Sequence, residues 1–198
     1  LGQFSEWEHS IVERNERHVR FYRNHPSVTF WSMGNETGHG DAFRHAISAV
    51  KELDPSRPVV SATDKPKARL VNDVTDQLAY NRYPGWYAKQ SMREMLGEMF
   101  AADDRRILGM SEYGVGGSVR QHGDPSVAVP PAGPWHPEEY QAYHHMENYR
   151  TIAADGRVWG SFLWVMFDLA SDARLEGQFM GRNDKGMITC DCFGPNVY

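Results

Sequence analysis

Apolar positions along the chain fall into two kinds of run, and the two kinds alternate. Over 5–24 a charge-rich stretch carries Trp7, Ile11, Val12, Val19 and Phe21 near the three-to-four-residue spacing of an amphipathic helix. His25-Pro26 closes it, because the residue before a proline is pushed out of the helical region. Over 28–33 the run Val-Thr-Phe-Trp-Ser-Met is β-branched and aromatic, as a buried strand requires, and 34–38 ends it in a loop. Over 41–53 the helical spacing returns, with Phe43, Ile47, Val50 and Leu53 on one face and Asp41 placed as an N-cap.

The alternation continues to the end of the chain. Strands are predicted over 58–62, 77–81, 106–112 and 158–167. Helices are predicted over 91–101, with Met92, Met95, Leu96 and Met99 as the apolar stripe, and over 138–154, with Pro137 at the entry. The Gly/Pro-rich stretch over 113–137 is well above ordinary loop length, and loops of that length are often functional rims.

Strands alternating with helices predict parallel pairing in an α/β fold. A doubly wound sheet and a barrel both fit the alternation. Three predicted strands, however, end in polar residues: Asn35-Glu36, Asn81-Arg82-Tyr83 and Ser111-Glu112. Polar strand tips converging on one face are what a TIM barrel active site needs. The Gly-rich phosphate fingerprint of a nucleotide-binding sheet is missing from the sequence. The expectation is therefore the C-terminal part of a (β/α)8 TIM barrel, about strands 4–8, with the N-terminal strands missing and residues 1–198 forming one partial catalytic domain.

Composition narrows the function. The chain is 40% hydrophobic and 12% aromatic, so a packed core is expected. A net charge of -5 offers no footprint for nucleic acid. No apolar run is long enough for a membrane span. The cysteines, Cys190 and Cys192, match neither a disulfide framework nor common zinc spacing. His39, His45, His122, His136, His144 and His145 show no metal-ligand spacing and are read mostly as surface residues, so no metal site is predicted. The opening Leu1-Gly2-Gln3-Phe4 lacks Met and any leader pattern and reads as the interior of a longer protein, which leaves the compartment open.

Two glutamates carry the chemistry. Glu36 follows an apolar strand, where partial desolvation would favour the protonated form that a general acid needs. Glu112 also follows an apolar strand, and Tyr113 or Tyr83 could donate to it, favouring the ionised form that a nucleophile needs. Either glutamate alone would be read as a solvated loop charge. The pair, three strands apart by this count, points to a glycosidase. Carboxyls about 5–5.5 Å apart would give retention, and about 6.5–9.5 Å inversion. Among the tryptophans, Trp31 and Trp159 are expected in the core, while Trp86 and Trp164 are as suited to stacking on a sugar ring.

These segments resemble a known family. Asn24-His25-Pro26-Ser27-Val28, followed by Phe30-Trp31-Ser32-Met33-Gly34-Asn35-Glu36, looks like the acid/base signature of glycoside hydrolase family 2, the β-galactosidase and β-glucuronidase group. Ser111-Glu112-Tyr113-Gly114 is similar to its nucleophile segment, and Trp164-Val165-Met166-Phe167-Asp168 to its last barrel strand. Gly181-Arg182-Asn183-Asp184-Lys185-Gly186 resembles the stretch that follows. The resemblance implies a retaining hydrolase with Glu36 as acid/base and Glu112 as nucleophile. It implies that Asn35 contacts the sugar 2-hydroxyl, Tyr83 supports the nucleophile and Trp164 lines the pocket. It implies a longer, multi-domain parent and admits a homo-oligomer. Divalent metals assist some family members, but no ligand set is visible here and no cofactor is expected.

For the sugar, Asn183 and Lys185 match the N-x-K pattern that grips a uronate carboxylate in glucuronidases. The 167–172 segment looks more like galactosidases. The expected substrate is a terminal β-galactoside. The alternatives are a β-glucuronide or a non-catalytic carbohydrate-binding barrel.

Overall fold

The computed structural model describes residues 5–37, 40–65, 74–103 and 107–189. Cys190 and Cys192, and Arg106 of the predicted fourth strand, lie outside them. The described elements are α1 (Ser5–Tyr22), β1 (Trp31–Asn35), α2 (Asp41–Leu53), β2 (Val59–Thr63), β3 (Gln77–Asn81) and α3 (Met92–Ala102). They continue with β4 (Leu108–Tyr113), α4 (Glu138–Ala153), β5 (Val158–Leu163), β6 (Leu169–Ala170) and β7 (Arg182–Asn183). The chain divides into two compact units, Leu1–Asn81 with Met99–Gly109, and Arg82–Glu98 with Met110–Tyr198.

In the first unit β1, β2, β3 and the first two residues of β4 follow one another in chain order. A doubly wound sheet reverses its order, and a (β/α) barrel does not. Strands β1 and β2 are parallel, with Trp31 opposite Val59 and Asn35 opposite Ala62, and the register shifts between Ser32 and Asn35. Strand β3 is parallel to β2, from Val60 opposite Gln77 to Thr63 opposite Tyr80.

Phe43, Ile47 and Val50 of α2 meet Val19 of α1, Trp31 and Met33 of β1 and Val59 of β2 in one apolar core. Burying each such side chain contributes about 1.5–3 kcal/mol. Beneath β1 lies a polar clasp. The Trp31 indole N–H donates to Asp54 Oδ2 at 3.0 Å, and the Arg57 guanidinium meets the same oxygen at 2.5 Å. A hydrogen bond from the Ser56 hydroxyl, then those from Arg57 and Trp31, outweigh burial and hold the Asp54 carboxyl well below the usual carboxylate range.

Strand β1 starts three residues later than the run over 28–33 predicted. Val28 instead turns back to His25, its carbonyl accepts from Arg57 Nε at 2.7 Å, and pairing begins where Trp31 N donates to Pro58 O. Gly34 and Asn35, expected in a loop, complete the strand.

In the second unit the last four residues of β4 have β5 as their neighbour. The strand expected to reach Phe167 stops at Leu163. Beyond it, residues 165–168 exchange backbone hydrogen bonds with 185–188, including Val165 N to Lys185 O at 3.1 Å and Met187 N to Val165 O at 3.0 Å. The ladder of β6 and β7 pairs Leu169 with Asn183 and Ala170 with Arg182, antiparallel. Two-residue strands carry no periodic signal, and this ladder was not expected.

The 113–137 loop is held by side chains. Gln141 of α4 donates to Val115 O at 3.0 Å, Gln121 donates to Pro134 O at 2.9 Å, and Tyr140 hydroxyl donates to Gly85 O at 2.6 Å. Trp86, Val115, Val129 and Tyr140 pack beneath it. At Gly117 any Cβ would come within 2.5 Å of the Gln141 side chain, so only glycine permits this approach.

Candidate active site

In the first unit Glu36 directly follows β1, and its backbone N–H extends the ladder by donating to Ala62 O at 3.0 Å. Its φ is 50°, in the left-handed region, which costs a non-glycine residue about 1–3 kcal/mol and is found preferentially at functional sites. Asn81, the buried last residue of β3, divides its amide N–H groups between two acceptors. One is Asn35 Oδ1 at 2.8 Å and the other is Glu36 Oε1 at 2.7 Å. With its oxygen accepting from Asn81, Asn35 keeps both N–H groups of its NH2 as donors. Glu36 itself is exposed. The desolvation expected from the apolar strand before it is therefore not observed, and a buried amide orients this carboxylate instead.

In the second unit Glu112, near the end of β4, is half-buried. Tyr83 hydroxyl donates to Glu112 Oε2, and Arg82 N donates to Glu112 O at 2.8 Å. Of the two expected donors it is Tyr83 that reaches the carboxylate. Tyr113 is buried, which raises its phenol pKa, and its hydroxyl bonds to Ser161.

From Tyr83 the site continues through a second aromatic. The Tyr83 and Tyr87 rings meet edge to face at 5.2 Å between centroids. Lys185 is 2% exposed, and its ammonium lies 5.3 Å from the Trp86 ring and 5.2 Å from the Tyr87 ring. Arg174 Nη1 donates to Tyr87 hydroxyl at 2.9 Å and pairs with Glu176 at 2.7 Å. Burial raises the Tyr87 pKa, but hydrogen bonds and charge from Lys185, then Arg174, outweigh it and bring the phenol below its ordinary value. Two cations thus converge on one phenol that is itself 52% exposed.

Asn183 is buried in β7, and its Oδ1 accepts from Lys185 N at 3.1 Å, so this oxygen sets the lysine backbone. Trp164 is half-buried, and its N–H donates to Tyr113 O at 2.8 Å. Gly114 makes that approach possible, since a Cβ there would lie 2.5 Å from the Trp164 carbonyl oxygen. Trp31 is core, as expected. Trp86 is also buried, with its face towards Lys185 and its edge on His136, so it does not offer an open stacking surface. Asp168 is structural. It pairs with Arg182 and accepts from Gly186 N at 2.9 Å.

Several residues escaped the sequence. Asn81 and Tyr87 stood in or beside a polar strand tip with nothing to single them out, and Arg174 had no pattern at all. Two histidines correct the surface expectation. His136 is fully buried with Nδ1 2.6 Å from Asp184 Oδ2, and His145 is buried with Nε2 accepting from Val115 N at 3.2 Å. Among the described residues one group offers three metal-ligand atoms within 4.8 Å of one another, His122, Glu138 and Glu139. His122 already pairs with Glu139 at 2.8 Å, and no chemical step is assigned to the group. Among the described residues no helix is long and apolar enough to cross a membrane.

Comparison with known proteins follows the same lines. The model for "Glycosyl hydrolases family 2, TIM barrel domain" matches residues 1–175. A β-glucuronidase from Bacteroides fragilis is 38% identical over 183 residues, which is 87% of this chain and 26% of that protein. A β-galactosidase from Photobacterium profundum is 35% identical over 94 residues, 42% of this chain and 9% of that protein. The crystal structure of an FMN-binding β-glucuronidase from Facaelibacterium prausnitzii L2-6 matches with a TM-score of 0.84 and 30% identity, covering 98% of this chain and 31% of that one. The chain spans about a quarter of the length of the glucuronidases it matches.

Proposed function

Since the chain belongs to glycosyl hydrolase family 2, through its TIM barrel domain, we propose that it supplies both catalytic carboxylates of a retaining β-glycoside hydrolase. In this reading Glu112 attacks the anomeric carbon while Glu36 protonates the departing glycosidic oxygen. Glu36 then takes a proton from water, which displaces Glu112 and restores the starting anomer. The observation that carries the reading is that each glutamate stands at the C-terminal end of a strand, just after β1 or one residue before the end of β4, with its own oriented donor, Asn81 for Glu36 and Tyr83 for Glu112. Asn35, its oxygen already bonded, presents its NH2 to the sugar 2-hydroxyl. Trp164 at the end of β5 is assigned to the pocket wall.

For the sugar, the Lys185–Tyr87–Arg174 cluster supports a β-glucuronide over the β-galactoside expected from the 167–172 segment. With Arg174 also paired to Glu176, the two cations at this exposed phenol leave a net positive charge, which suits a substrate carboxylate and has no counterpart on a neutral hexose. Asp168, within the 167–172 segment, is engaged by Arg182 and the Gly186 backbone.

The deciding experiment compares aryl β-glucuronide with aryl β-galactoside turnover by the natural full-length polypeptide and its Lys185→Ala variant. The expected result is a fall of about 10- to 100-fold in kcat/KM for the glucuronide, the worth of a charge-assisted hydrogen bond, with the neutral substrate little changed. Equal losses on both substrates would overturn the uronide assignment in favour of the galactoside.

A further inference from the structure

We propose that His136 is a positioning residue that holds Lys185 in place to read a substrate carboxylate. The proposal rests on the uronide assignment above and deepens it. The imidazole meets two groups that adjoin the lysine. Its Nδ1 lies 2.6 Å from Oδ2 of Asp184, the residue that precedes Lys185. Its ring meets Trp86 edge to face at 4.7 Å between centroids, and Trp86 is the ring beneath the lysine ammonium. A single side chain therefore holds both the carboxylate of the residue before Lys185 and the ring against which the lysine charge rests.

The surroundings make this fit specific. Gln121 Oε1 accepts from His136 N at 2.7 Å, and Ser118 N donates to His136 O at 2.8 Å, so the histidine is anchored in the long loop. Asp184 O accepts from Gly117 N at 2.9 Å. A Cβ on Gly116 or Gly177 would collide with the Asp184 carboxylate, so these two glycines leave the room in which it sits. Lysine is a point charge on four rotatable bonds, and it reads a carboxylate by position only if its stem is held. Without the imidazole, a buried carboxylate loses its donor one residue away from an ammonium, and it can draw that ammonium off the Trp86 face.

The test uses the natural full-length polypeptide. His136→Leu should raise KM for an aryl β-glucuronide about tenfold or more, with kcat and the kinetics of a neutral aryl β-glycoside changed by less than about threefold. His136→Asn, which keeps a donor near the Nδ1 position, should recover most of the KM. On a Lys185→Ala background, His136→Leu should add nothing further. If His136→Leu does not fold, Asp184→Asn decides in its place, and a selective rise in KM is again expected. An unchanged KM, a parallel loss on both substrates, or additivity with Lys185→Ala would overturn the positioning role. If Lys185→Ala itself fails to discriminate, the uronide assignment falls instead, and the positioning role falls with it.

Discussion

The two glutamates belong to units whose interiors differ in kind. The unit around Glu36 has an apolar cluster of α1, α2, β1 and β2 with the Asp54 clasp at its edge. Among the described residues before α3, its other buried polar side chains are the small Ser61, Thr63 and Thr75 and the Asn81 amide. The interior around Glu112 buries His136, Gln141, His145, Asn148, Asp184 and Lys185. Periodic helices and strands satisfy their own backbone groups, so the first interior can be mostly hydrocarbon. A long loop over 113–137 cannot, and Gln121, Gln141 and His145 supply the missing partners. The difference teaches where precision lies. The first unit is stabilised by area, which tolerates small shifts, and the second by directed polar contacts, which do not.

The widest separation between the two should appear in catalysis. Glu112→Ala should lower kcat on the order of 10⁴-fold or more, as loss of a nucleophile does, and added azide should give the α-glycosyl azide. Glu36→Ala should cost about 10²–10⁴-fold, the range for a general acid/base, with azide giving the β-glycosyl azide. The same product anomer from both variants would mean that the roles are wrongly assigned.

Stability probes separate the units next. Ile47, 2% exposed in the apolar core, should cost about 2–5 kcal/mol when changed to Ala. The loss, measured by urea unfolding, should be the same at pH 7 and pH 5. A loss that varied with pH would break the contrast drawn here.

The second unit should respond to acid earlier. Burial pushes the His145 pKa down to about 4, and the Val115 N–H needs its Nε2 as an acceptor. The folded state therefore keeps this ring neutral while the unfolded chain protonates near 6.5. Its contribution is complete above pH 6.5 and is lost as pH falls from there to about 4, by about 3 kcal/mol over the window. Asp54 has the other behaviour. Its depressed pKa keeps the clasp charged through the same window, and its contribution goes only in stronger acid. Hydrogen exchange between pH 7 and pH 4 should thus show amides around Val115 losing protection before those around Val50. The reverse order would contradict both assignments.

How much of this was legible follows from the same division. The stripe of Phe43, Ile47 and Val50 announced α2 and its buried face directly, and the apolar runs announced the five strands of the sheet to within a few residues. Glu36 and Glu112 were visible because each breaks an apolar run with a charge. The strand pattern offered Tyr83 and Tyr113 alike as donors to Glu112, and only the family resemblance pointed to Tyr83, the one that reaches it. His136 and His145 were misjudged because an isolated histidine has no periodicity, and their burial depends on residues 48 and 30 positions away.

Sequence alone determined the α/β alternation, the two carboxylates and the resemblance to one family, because hydrophobic period and short motifs are local properties. Tertiary structure alone decided that an amide and not burial orients Glu36, that Lys185 lies against Trp86 and Tyr87, and that His136 meets both Trp86 and Asp184. Those are contacts between groups far apart in the chain. No local pattern encodes them, since folding chooses among many polar side chains the few whose geometry satisfies one another.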